Sequence, residues 1–182
     1  MSVLGLSIEY RVGTESGPDV MQRMGVAFER AGAELVDMGR HVFPLLPPVF
    51  EAAQARQFDA EGGGPVAGSW AELSDVYAAW KAKRYPGQPI LVARGDLRDA
   101  LTQPNSPFGA RDWSASSFVF GTAGIEYASF HQTGTARMPA RPPFDLDSQF
   151  EDELSVAGRK GINSAIRAAN LDTFVGTIPE AP

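Results

Sequence analysis

Hydrophobic and polar positions divide this chain into short stretches of alternation and longer stretches of helical spacing. Over residues 3–12, Leu4, Leu6, Ile8 and Tyr10 fall on one face and Gly5, Ser7, Glu9 and Arg11 on the other. That period of two predicts a half-buried strand. Residues 13–18 form a break. From Asp19 onward, Val20, Met24, Phe28, Ala31, Leu35 and Met38 recur every three or four positions, which predicts an amphipathic helix with an apolar stripe. The Asp19 carboxylate is placed to cap its first amides. The helix should fade over 39–44, because Pro44 has no amide to donate. Pro47 and Pro48 then mark a kink before a shorter helix over 49–58.

The middle of the chain is punctuated by glycine and proline. Residues 61–65, Glu-Gly-Gly-Gly-Pro, read as a flexible turn. They are not a phosphate-binding loop, since no Gly-Lys-Ser/Thr follows and no strand precedes them. Ser69 and Glu72 have the spacing of a capping box, and the helix they would open places Leu73, Val76, Tyr77 and Trp80 on one buried side. It should end by Tyr85, Pro86 and Gly87. Residues 89–93 are a short apolar run compatible with a strand, and 95–101 a small helix with Leu97 and Leu101 inward. Residues 113–121, rich in Trp, Phe, Val and Ser, predict the second arm of a hairpin begun near Ala110.

A short helix is expected over 127–132. Asp147 or Ser148 then caps a long closing helix, with Ser148 and Glu151 forming a second capping box. One face of that helix, through Phe150, Leu154, Ala157, Gly161, Ala165 and Ala168, is made mostly of small residues and suits close packing against a partner. Residues 173–182 are a polar, proline-bearing tail. The domain reading is one domain over 1–170 and a C-terminal tail over 171–182, with no internal repeat.

Composition narrows the functional classes. At 182 residues with 43% hydrophobic content, the chain can bury a core of its own. Its formal charge of −6 argues against a nucleic-acid binder, which presents a basic face to phosphates. An acidic wall beside DNA remains compatible with that charge. The absence of cysteine excludes disulfides, thiolate chemistry and Cys-based zinc sites. No run approaches the length of about 20 apolar residues that a spanning helix needs, so no membrane association is expected.

Candidate chemistry is sparse. His41 and His131 lie far apart, and neither has a second ligand at the helical spacing of a metal motif. No Gly-x-Ser-x-Gly elbow is present. The acidic groups at Asp96 and Asp99, and at Glu151, Asp152 and Glu153, read as solvated helix faces. His131 is the one plausible acid–base group, with an ordinary pKa near 6.5, and in the absence of a partner it reads as a hydrogen-bonding member of a folded motif. No catalytic residue, metal site or cofactor is therefore assigned.

The motif in question is the densest pattern in the chain: Tyr127-Ala128, His131-Gln132-x-Gly134-Thr135 and Pro139-Ala140-Arg141-Pro142. It is preceded in order by Phe58, the glycine-rich stretch, Trp70 with Leu73, Tyr77 and Lys81, Ile90-Leu91, Gly95 with Leu97, and Gly121. This series resembles the phage virion-morphogenesis family, the Mu-like tail-completion proteins of the neck, over about residues 55–155. It departs from the family pattern at Arg94, where Thr usually precedes the Gly-x-Leu, at Pro143, and in its longer closing helix.

The resemblance implies an α+β fold, with long helices packed on a small, mostly antiparallel β-sheet, extended loops and a C-terminal arm. It implies a structural protein of the virion neck or tail terminus, made in the host bacterial cytoplasm, that forms a ring and makes the tail competent for joining to the head. Six copies are expected from the six-fold symmetry of such tails. The implied partners are the tail tube and head–tail connector proteins, with DNA passing through the lumen without specific binding. On this reading His131, Gln132, Gly134, Thr135, Arg137, Arg141, Gly161 and Ala165 are expected at interfaces between subunits or partners. The alternatives are a head-closure or connector protein and, from a different class, a small soluble enzyme or ligand-binding domain using His131. Met138 to Pro143 should run extended, with Arg141 reaching a carboxylate or a backbone carbonyl.

Overall fold

A computed structural model describes residues 11–12, 15–65 and 67–169. Most of the alternating stretch over 3–12, and the tail over 171–182, lie outside the described residues. The short ribbon of β1 (Arg11–Val12) and β2 (Glu15–Ser16) leads into helix α1 (Gly17–Val36). α1 begins two residues before Asp19, which therefore lies inside the first turn rather than at the cap. Among its described side chains Ala27 is buried, packed with Ala169 and Ile166. Phe28, expected inside, is exposed.

Helix α2 (Met38–His41) and a 3-10 turn (Phe43–Leu45) carry the chain into α3 (Leu46–Asp59). Pro47 and Pro48 open α3 instead of kinking the chain before it, because the first-turn amides of a helix have no intrahelical acceptor to lose. α3 is the central helix. Its Phe58 belongs to a cluster with Trp70, Val92, Leu97, Ala100, Leu101 and Ile125. Its Leu46, with Val49 and Phe50 alongside, joins a second cluster with Val42, Phe43 and Ala157.

Among the described residues the antiparallel strands form three separate two-stranded ribbons rather than one sheet. The glycine-rich stretch is one of them: β3 (Gly62–Gly64) pairs with β4 (Gly68–Ser69). It is a packed hairpin, not a flexible turn. A Cβ on Gly62, whose φ is +109°, would stand 2.6 Å from both the Gly68 oxygen and the Trp70 nitrogen; one on Gly64 would stand 2.1 Å from the Asp145 oxygen. Side chains are excluded at both positions by close backbone approach.

Ser69 ends this ribbon, so it forms no capping box with Glu72. Helix α4 (Asp75–Arg84) starts later, after Ser74, whose hydroxyl makes no capping bond. Residues 89–93 turn rather than extend: the Val92 amide donates to the Pro89 carbonyl, and Leu91 has a φ of +61°. Helix α5 (Asp96–Thr102) buries Leu97 and Leu101 as expected.

The ribbon of β5 (Gly109–Trp113) and β6 (Phe118–Thr122) runs in register from Gly109 opposite Thr122 to Trp113 opposite Phe118. It lays Phe118 and Phe120 on Phe50, at ring separations of 5.5 and 4.9 Å. Arg111 fixes it in place: Nε donates to Glu51 at 2.8 Å, a terminal nitrogen donates to the Ala100 carbonyl, and the guanidinium lies over Phe120.

After α6 (Ala128–Thr133), helix α7 (Ser148–Ala168) crosses α1, α2 and α3. Asp147 is its cap, accepting from the Phe150 amide at 2.8 Å, so the cap is Asp147 alone and not a Ser148–Glu151 box. Most of the small face of α7 is covered within the chain, although Ala168 is exposed. Ala157, Gly161 and Ala165 are buried, and a Cβ on Gly161 would lie 2.6 Å from Val42 Cγ2 and 2.8 Å from the His41 carbonyl oxygen. Gly161 and Ala165, expected at a subunit interface, are intramolecular packing positions.

Candidate partner-binding groove

The motif from Tyr127 to Pro143 folds as a lock. Gly134 ends α6 at a φ of +73°, with Ala140 N and Met138 O at 2.8 and 3.0 Å from where a Cβ would be. Only glycine combines that dihedral with that proximity. Thr135 and Met138 then exchange backbone hydrogen bonds, and the chain returns so that the Arg141 amide donates to the His131 carbonyl at 2.8 Å. The strap over 138–143 forms no helix, in keeping with its prolines, and it bends at Pro143.

Side chains tighten this return. Gln132 pairs with the Phe144 backbone at both ends, its oxygen accepting from the amide and its nitrogen donating to the carbonyl, each at 3.1 Å. Arg141 is buried, and its fork donates to the Ala71 and Glu72 carbonyls at 2.6 and 2.8 Å. The Pro142 carbonyl accepts from the indole of Trp70 at 3.1 Å and from Gln57 at 3.3 Å. Below it, Asp145 accepts from the Ala67 amide at 2.6 Å. The strap thereby ties α3, the β3–β4 ribbon and the segment before α4 into one body.

Six of the expected interface residues thus come together. Gln132, Gly134, Thr135 and Arg141 are engaged within the fold; Arg141 is a buried clamp and not an exposed contact. His131 is half-buried, packed edge-on against Tyr127 at 5.8 Å, and its Nδ1 is buried without a hydrogen-bond partner. Burial, and then the nearby Arg141 charge, lower its pKa from 6.5. Arg137 is exposed.

Beside the strap opens a groove of about 900 Å³, lined by α4, the turn over 91–96, and the motif's Tyr127, His131, Arg137 and Arg141. Its α4 side displays a row of aromatic rings. Tyr77 and Trp80 stack at 5.3 Å, and Tyr85 meets Trp80 at 6.0 Å. These rings are the main departure from the sequence reading. Trp80 is 51% exposed and Val76 84%, whereas Lys81 is 5% exposed. α4 has turned its lysine inward and its aromatics out.

The cause is local. Lys81 Nζ donates to the Pro89 carbonyl, and Glu61 accepts from the Ile90 amide. Burial lowers the Lys81 pKa, opposed by the Glu61 charge. The ammonium stem therefore fills the position that the apolar stripe suggested for Trp80. Nothing at helical spacing announces this, because the partners of Lys81 come from two turns elsewhere in the chain.

A second constellation has the composition of a hydrolase triad. His41 Nε2 meets Glu34 at 2.7 Å and His41 Nδ1 meets Ser164 at 3.0 Å. The His41 hydrogen bond, with Arg40 assisting, lowers the Glu34 pKa. Ser164 sits near the C-terminal end of α7, where surrounding amides are committed to the helix ladder and offer no oxyanion hole. The trio reads as a polar clamp joining α1, α2 and α7. Among the described residues no group of three His, Asp or Glu side chains is placed to hold a metal, and no helix is long and apolar enough to cross a membrane.

The fold and groove define a small α+β protein whose densest motif is a structural lock beside an open groove lined by aromatic and cationic side chains. In sequence the chain is 32% identical over 127 residues to the candidate capsid assembly protein G of Escherichia phage Mu, across 64% of this chain and 72% of that protein. It belongs to the family of that protein, a family of phage virion-assembly proteins. No family model matches the chain, and no solved structure matches it significantly.

Proposed function

We propose that this protein completes the tail terminus of a phage particle, forming a ring of six copies at the neck that receives the head–tail connector. The observation that carries the reading is the match to the Mu assembly protein over 72% of its length. The Tyr127–Pro143 motif, the part that resembles tail-completion proteins, supports it. It folds into a rigid body that presents exposed aromatics, the residue class enriched where proteins meet. A net charge of −6 suits a wall along which DNA slides. A constant head-to-tail contact between copies closes into a ring.

The name of the Mu relative favours a second reading, a head-side assembly or head-closure role. A nonsense mutant of this chain separates the two. Loss at the tail terminus gives filled heads beside unjoined tails of abnormal end structure. Loss of a head-side protein gives defective heads with normal tails, and that result would overturn the tail-terminus assignment.

A further inference from the structure

The chain's own sequence contains a segment whose composition matches the lining of the groove. Residues 171–182 read Leu-Asp-Thr-Phe-Val-Gly-Thr-Ile-Pro-Glu-Ala-Pro, with two carboxylates, no basic residue and prolines at 179 and 182. Prolines three apart fall on one edge of a polyproline helix, which turns once in three residues. Aromatic rows are the surfaces such edges pack on, because the backbone is already ordered and loses little entropy on docking. The groove offers Tyr77, Trp80 and Tyr85 in that arrangement. Among the charged residues lining it, Lys81, Arg94, Arg137 and Arg141 outnumber Glu72 and Asp96, a balance that favours an acidic guest.

We propose that the groove binds the Pro179–Pro182 segment of a second copy of this chain. The second copy rests on the ring reading above. α7 ends with Ala169 packed on Ala27, and the helices it crosses, α1, α2 and α3, do not line the groove, so the tail leaves the body outside the groove's lining. Pro179 and Pro182 pack on the Trp80 and Tyr77 rings, and Glu180 pairs with the exposed Arg137.

The probe is a labelled peptide of residues 171–182. It is titrated into the full chain carrying Pro179→Ala and Pro182→Ala, so that the resident tail does not compete. Saturable binding is expected, weakened about tenfold or more by Trp80→Ala, the loss of a central aromatic anchor. A peptide with both prolines replaced should not bind. Because Trp80 is exposed, its variant keeps the wild-type melting curve, and Arg137→Glu gives an independent loss. The unmodified chain should self-associate with concentration in sedimentation, and the double-proline variant should not. Absence of peptide binding, or binding indifferent to Trp80 and to the prolines, overturns the site. Binding with a monomeric wild-type chain at every concentration overturns the assignment to a second copy. Neither result depends on where the protein sits in a particle, so failure here is distinguishable from failure of the tail-terminus reading.

Discussion

At the scale of single residues, the Tyr127–Pro143 motif acts through backbone geometry and buried hydrogen bonds. Gly134→Ala forces a left-handed dihedral onto a side chain that has no room, and should cost about 1–3 kcal/mol in urea unfolding. Trp70 and Trp80 make a contrasting pair. Trp70 is 4% exposed and bonded to the Pro142 carbonyl, so Trp70→Ala should lose about 3–5 kcal/mol. Trp80→Ala should change stability by less than about 0.5 kcal/mol. Equal losses in the two variants would contradict the outward face of α4. His131 sets a pH dependence. Its folded pKa lies below 6.5, so the unfolded chain binds the proton first as pH falls. Its contribution is fully present above pH 6.5 and declines as pH drops from there toward the folded value. His131→Gln should flatten the stability profile just below pH 6.5; an unchanged slope there would refute burial of the ring.

At the scale of elements, spacing and capping in the sequence foretold much of the fold. The Asp147 cap, the β5–β6 hairpin, the inward Leu97 and Leu101, and the non-helical strap of prolines are all set by neighbours close in sequence. Legibility stopped where partners are remote. The triple glycine forms a hairpin whose Gly64 leaves room for Asp145, some eighty positions away, where a side chain would not fit. α4 rolled because Lys81 is held by the turn at Pro89. The small face of α7 is a close-packing surface, and at Ala157 and Gly161 it packs on α2 and the turn after it. Gly161→Ala tests that point. The added methyl meets Val42 and the His41 carbonyl, and should cost about 1–3 kcal/mol by overpacking. A neutral effect on unfolding would mean that the α2–α7 contact is looser than described. For the candidate site, the motif residues were named in advance, but the groove was not, since its aromatic row looked like core.

At the scale of the molecule, membership in a phage virion-assembly family sits beside an open groove lined by aromatic and cationic side chains. Helices α3 and α7 and the strap form a body that holds the groove, and the proposed guest is another copy's tail. The most direct test is a reconstruction of the purified particle at a resolution that traces side chains. The account predicts this chain at the head–tail neck, in a closed ring of six copies around the DNA channel. A chain absent from the particle, or present without contacts between copies around a symmetry axis, would contradict it.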